Sequence, residues 1–422
     1  CAQQIMGTAG RRQVDGIRRA VATGQGGATQ FSTAVVLGAA PHRHDGAATD
    51  RAQMWQKSLA RAPLAATAAF DARGRLWLAN VDSGHVLVRH SDDQGKSFSA
   101  PVQVNPEPER IAADGENRPK LAFGKHGEVY VSWTQSLDVP FAGHVRFAHS
   151  RDGGKTFSTP ITVNADRAPI SHRFDSLIVD GAGRVHLVWL DKRDKDAAEN
   201  ASRAFAGISV YAAVSENNGA SFGPNRRVAD HSCECCRIAL TVDTDGTPVI
   251  AWRQVFGQNT RDHALLRLDG TSGMVRASHD DWRVDGCPHH GPGLSIGPDG
   301  VYHLAWFTGA PDRAGLYYRR SPDRGRSFTE PMRFGNPDAQ PGRPQVLSLR
   351  GRVVLAWKEF DGKSSLVRAM GSRDGGAAWS APETLAHTEG ASDHPQLLHD
   401  RGRVFLGWQT MNEGFRLLEV AP

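Results

Sequence analysis

Ser91-Asp-Asp-Gln-Gly-Lys-Ser-Phe98 and Ser150-Arg-Asp-Gly-Gly-Lys-Thr-Phe157 are two copies of one box, and that box decides the fold. Further copies begin at Ser215, Ser321 and Ser372. The third carries Asn217 in the Asp position, and the fifth has Ala378 where the others have a hydroxyl residue before the aromatic, here Trp379. Each copy follows a short apolar strand and precedes a Pro-containing one, as in Ser99-Ala100-Pro101-Val102 and Ser380-Ala381-Pro382. Asp and Asn side chains bond their own downstream amides, and Gly supplies a positive φ. The box therefore encodes a tight hairpin closed by an aromatic plug.

Successive boxes begin 59, 65, 106 and 51 residues apart, so the 106-residue interval spans two periods and one unit has lost its box. The expected position of the lost copy reads Asp269-Gly-Thr-Ser-Gly. A second feature counts the units independently: a strand, a Gly-containing turn, and a strand ending in Trp. It runs over Leu121–Trp133, Leu177–Trp189, Leu240–Trp252, Leu294–Trp306, Val346–Trp357 and Leu397–Trp408, with Ala68–Asn80 a further copy that has Asn in the Trp slot.

The box is that of the Asp-box, or BNR, repeat. From about Pro63 to the C-terminus the chain resembles the sialidase-like β-propellers. The resemblance and the repeat count together imply an all-β, seven-bladed β-propeller. Six blades is the alternative, because many sialidase relatives have six. Each blade is expected to hold four strands, the first lining the hub and the box turning the third into the fourth. The chain ends after the third strand of blade seven, so the N-terminal Phe31–Leu37 is expected to supply the fourth and close the ring. Residues 1–30 read as a flexible tether and 31–422 as a single propeller domain.

Composition excludes several classes. The 422 residues are 39% hydrophobic with a formal net charge of +5, and basic residues are interspersed with acidic ones. No run of eighteen apolar residues marks a spanning helix. No block of like charge suggests a nucleic-acid surface. The chain begins with Cys1 and a polar, Gly- and Gln-rich stretch, as a processed bacterial lipoprotein does. The expectation is export to the periplasm or cell surface, a lipid anchor at Cys1 as the only membrane contact, and a monomer.

The chemistry-bearing residues gather at two strand entries. Cys233, Cys235 and Cys236 form Cys-Glu-Cys-Cys-Arg before the fourth hub strand. Cys287 opens Cys-Pro-His-His-Gly-Pro, with His289 and His290, before the fifth. Neighbouring hub strands start side by side, so the motifs are expected to meet at the channel mouth. Thiolates with imidazoles suit a soft ion, copper first and zinc second. Structural disulfides and a redox-active thiol pair are the other readings, and the disulfide reading has no cofactor. His231, His172 and His394 fall at the same level of the ring, while His42 and His44 precede the first blade.

Three arginines also open hub strands: Arg118, Arg237 and Arg343, with Arg173 one residue off that register. The sialidase resemblance implies three arginines gripping a substrate carboxylate, a Tyr nucleophile activated by Glu, and an Asp acid/base. Asp114, Glu116 and Asp175 could supply carboxylates. All five tyrosines, however, fall in second or third strands by the repeat register, and no catalytic residue is assigned. The expected function is soft-metal binding between blades four and five. A sialidase-like hydrolase or a binder of acidic glycans or small molecules is the alternative, and a protein-interaction propeller with structural disulfides is a further one. The charged stretch Asp191–Gly207 is expected to be a long mobile loop.

Overall fold

The computed structural model describes residues 64–420. The tether 1–30, the strand expected at Phe31–Leu37, and His42 and His44 lie outside them. Strands are numbered β1–β27 in chain order. The fold is nearly all β, laid out as successive antiparallel meanders. The first strands of these meanders are β1 (Thr67–Phe70), β5 (Lys120–Phe123), β9 (His172–Val179), β13 (Ala239–Val242), β17 (Gly293–Ile296), β21 (Gly342–Leu349) and β25 (Gln396–Asp400). Each neighbours the next in that order, and β25 in turn touches β1. The meanders that start at β9 and β13 are joined into one sheet by a single pairing, Ser232 with Gln254. The last meander has three strands.

Each box lies between the third and fourth strands of its meander. In the first, Ser97 donates from N and Oγ to Asp93 at 2.9 and 2.6 Å, and Gly95 N reaches Ser91 Oγ at 2.7 Å. Asn217 fills the same role: its Oδ1 accepts from Ser221 N and its amide donates to Ser221 Oγ at 2.8 Å. At the site of the lost copy, Asp269 still accepts from Thr271 N, Ser272 N and Ser272 Oγ. That unit has thus kept a shortened turn and dropped the aromatic plug.

The tryptophans of the second strands form the core between sheets. Trp133, Trp189, Trp252, Trp306, Trp357 and Trp408 are all fully buried. Each indole N–H still finds an acceptor, for example Gln254 Oε1 at 2.7 Å for Trp252 and Asp280 Oδ2 at 2.7 Å for Trp306. A buried indole needs both its apolar contacts and this bond. Where the first unit has Asn80, a cavity of about 450 Å³ opens beside Leu78, Phe98 and Phe415.

One expectation fails. The stretch after Asp191 contains a helix, α1 (Arg193–Asn200), rather than a long loop. Its Ala and Glu content favours helix, and Asp194 and Asp196 lie at the positive end of its dipole. Lys195 on this helix donates to Glu234 Oε1 at 2.6 Å, which ties α1 to the Cys-Glu-Cys-Cys turn. No helix among the described residues is long and apolar enough to cross a membrane.

The box carboxylates are held below the usual range, Asp323 at about 2, first by its bond from the Ser327 hydroxyl and then by Ser327 N–H. A depressed carboxylate contributes stability above its unfolded value and loses it as pH falls through its folded value. Asp323→Asn, which copies the natural Asn217, should therefore fold normally but melt lower than wild type at pH 7. The gap in thermal midpoint should close between pH 4 and pH 2. A gap that stays constant over this range would show that the carboxylate charge plays no part in the turn.

Candidate metal centre and its charged surround

Both cysteine motifs lie on the same kind of connection, from the outer strand of one meander to the inner strand of the next. Cys-Glu-Cys-Cys links β12 (Arg226–Ser232) to β13, and Cys-Pro-His-His links β16 (Val275–Arg276) to β17. Among the described residues no disulfide links the four cysteines; Cys233, Cys235 and Cys236 are buried, and Cys287 is partly exposed. Cys233 Sγ lies 3.8 Å from both Cys235 Sγ and Cys236 Sγ. Two groups have all their donor atoms within 4.8 Å of one another: Cys233, Cys235 and Cys236, and Cys235, Cys287 and His289. The structure therefore brings together two segments more than fifty residues apart in sequence.

The remaining expected ligands lie elsewhere. The His290 ring stacks on Phe307 at 4.2 Å and belongs to neither group. The left-handed backbone at His289 (φ 53°) turns the two imidazoles apart. His231 Nδ1 is 3.0 Å from Ala206 O, and its ring packs on Phe205. His172 is fully buried, with Nδ1 3.0 Å from Asp191 Oδ2.

The thiols sit in an apolar pocket with Phe174, Ile208, Ile238 and Trp252. Into it reach two buried arginines that position-by-position reading of the sequence missed. Arg261 donates from Nη1 to Cys233 Sγ at 3.2 Å. Arg253 bonds only carbonyl oxygens, those of Arg261, His290 and Phe307. Neither forms an ion pair with a carboxylate among the described residues. Guanidinium groups do not lose their proton, and a buried charge requires a counter-charge. The Cys233 sulfur is the anion that Arg261 meets directly, while Arg253 interacts with both the Cys233 thiol and the buried Asp280 carboxylate. Cys233 is accordingly held well below the ordinary thiol range, first by the Cys235 and Cys236 thiols and then by Arg261 and Arg253. Burial pushes Cys235 and Cys236 up. Burial also lowers His289 to about 4, so its imidazole is neutral at pH 7 and free to act as a ligand.

Beside this cluster lies Glu116, on the segment before β5. Its Oε2 accepts from Arg237 N at 3.0 Å and Gly291 N at 3.1 Å. Those amides immediately follow Cys236 and His290, so one carboxylate clamps both cysteine motifs by their backbones. Oε1 takes Arg237 Nη1 at 2.9 Å and Arg343 Nη1 at 3.1 Å, with His394 Nδ1 3.6 Å away. Arg343 adopts φ 60° at a bulge opposite Trp357, and Phe174 adopts φ 56° at the equivalent bulge opposite Trp189. Bulges at these places re-aim side chains toward the middle. Burial raises the Glu116 carboxyl, but Arg237, Arg343 and the two amides outweigh it and hold it at about 2. His394 is pushed well below its ordinary value by burial and by Arg343.

Arg118 stands apart. It forks onto Asp393 at 2.7 and 2.8 Å and also bonds Ala66 O and Gly115 O. All three expected anion-gripping arginines are thus already engaged by carboxylates of the chain. The tyrosines lie in β6 (Val129–Ser136), β11 (Ile208–Ser215), β18 (Tyr302–Thr308) and β19 (Gly315–Ser321), none of them a first strand.

No protein-family model matches the chain, and no curated protein does. Solved structures match by shape. A polysaccharide lyase of family PL25, an ulvan lyase bound to -[GlcA(1-4)Rha3S]-, superposes with a TM-score of 0.55 at 10% identity over 85% of this chain and 92% of its own. A protein of unknown function from Dyadobacter fermentans gives 0.50 at 16% identity, over 75% and 97%. A Hadza microbial sialidase gives 0.49 at 14%, over 82% and 76%, which carries no argument on its own. The neighbours are polysaccharide lyase and sialidase-like folds. At these identities the likeness describes the fold alone.

Removing the Glu116 charge leaves the half-buried Arg237 and the buried Arg343 guanidinium groups without their shared carboxylate. Glu116→Gln should cost about 3–5 kcal/mol in denaturant unfolding at pH 7, the range for breaking a buried ion pair. A loss below about 1 kcal/mol would show that Arg237 and Arg343 re-pair with solvent or other groups.

Proposed function

We propose that this protein is an exported, lipid-anchored, seven-bladed β-propeller that binds a soft metal through its cysteine cluster, with copper favoured over zinc. The observation that carries the reading is the convergence of Cys233, Cys235, Cys236, Cys287 and His289 in one pocket walled by Arg253 and Arg261. A disulfide would bring two sulfurs to about 2.05 Å and remove their charge, and one formed by Cys233 would take away the anion that Arg261 bonds. An ion with metal–sulfur bonds of about 2.3 Å sets its sulfurs about 3.8–4.0 Å apart in tetrahedral or trigonal geometry, close to the 3.8 Å seen around Cys233. The softness of thiolate ligands favours Cu(I). The partly exposed Cys287 and His289 form the side by which an ion would enter.

The blade count is supported by the order in which the first strands meet, and closure by the contact of β25 with β1.

Elemental analysis and a thiol count on protein purified without chelator test the metal reading. Bound copper with four cysteines protected from alkylation is expected, and chelation should lower the melting temperature because an ion held only by the folded state stabilises it. Cys236→Ser/Cys287→Ser should lose the metal while keeping the native circular dichroism. Four oxidised cysteines without metal would overturn the proposal.

A second reading is favoured by the fold likeness to the ulvan lyase, whose ligand is acidic, and by Arg237 and Arg343 at the channel mouth. An acidic sugar would have to displace Glu116 from them. Cleavage of a uronic-acid polysaccharide or a fluorogenic sialoside, abolished by Arg237→Ala, would support it. Absence of turnover and of binding by calorimetry would remove it.

A further inference from the structure

The two donor groups share one atom. Cys235 Sγ belongs both to the all-sulfur group with Cys233 and Cys236 and to the mixed group with Cys287 and His289. The five donors do not form one mutual group: Cys233 and Cys236 are absent from the second, and Cys287 and His289 from the first. One ion at the centre of either group therefore leaves the outer donors of the other unused. We propose that the cluster holds two copper(I) ions bridged by the Cys235 thiolate, one closed by Cys233 and Cys236 and the other by Cys287 and His289. This rests on the soft-metal reading above.

Coordination number and charge both favour two ions of this kind. Each group offers three donors, one short of the tetrahedral shell that structural zinc requires. Three soft donors suit copper(I). Four thiolates carry four negative charges, and the neutral imidazole adds none. Two copper(I) ions leave a net charge of −2 beside the buried Arg173, Arg253 and Arg261; a single ion would leave −3 in the same apolar pocket. The two positions also differ in access. The Cys233–Cys236 side is buried, whereas Cys287 and His289 are partly exposed. The inner ion is thus expected to be retained and the outer one exchanged.

The test is titration of the reduced full-length chain with copper(I) against a chromogenic copper(I) chelator under anaerobic conditions, with native mass spectrometry reading the stoichiometry. Wild type is expected to bind two coppers, the second lost to chelator first. Cys287→Ser and Cys236→Ser should each bind one, and Cys235→Ser should hold neither tightly. X-ray absorption on wild type should show a copper–copper path, a readout that does not depend on any variant folding. Saturation of wild type at one copper overturns the bridged pair but leaves the soft-metal reading intact, while no binding at all overturns both. Two coppers retained by Cys235→Ser would overturn the bridge.

Discussion

One buried carboxylate holds the middle of this protein together. Glu116 accepts from the chain just after Cys236, just after His290 and from the Arg343 guanidinium, so it joins the entries to β13, β17 and β21 from its own place before β5. Strand ladders cannot do this, because they bind strands within a meander and not the connections between meanders. The charge is sustainable only because four donors surround it; without them its burial would neutralise it. Two of these bonds, from Arg237 N and Gly291 N, join the two cysteine motifs through their backbones.

Around that point the chemistry divides by solvent and charge. At the entries to the first strands, arginines meet carboxylates: Arg118 with Asp393, and Arg237 and Arg343 with Glu116. Outward, between the third and fourth meanders, Arg253 and Arg261 meet sulfur instead. The contrast matters because the first set is hydrogen-bonded to carboxylates, while Arg261 bonds the Cys233 sulfur. A pocket that stabilises thiolates in an apolar setting is suited to a thiophilic cation. The helix α1, tied by Lys195 to Glu234, covers the same turn and restricts its freedom.

Much of the fold is legible from local chemistry. The boxes specify turns through bonds within eight residues, and the Trp slots mark the second strands because only a buried position rewards so large a side chain. The meeting of the cysteine motifs also follows from the repeat, since neighbouring first strands enter side by side. The helix at Arg193–Asn200 was hidden by its charge, which reads as loop although its residues are good helix formers. Arg253 and Arg261 were hidden because nothing near them in sequence names their partner. The three entry arginines read as free anion grips, and their internal pairing depends on residues up to 275 positions away.

The repeat, the turns, the strands and the level at which the cysteines and histidines enter follow from the order of residues, because each rests on short-range bonds and on hydrophobic periodicity. The tertiary structure alone decided which donors converge, that His290 turns away onto Phe307 while His289 turns in, and that Cys235 stands in both groups. It also decided that Glu116 is a clamp. Those outcomes depend on backbone twists at φ near +60° and on charges brought together from distant segments, and neither is encoded in any one stretch of the chain.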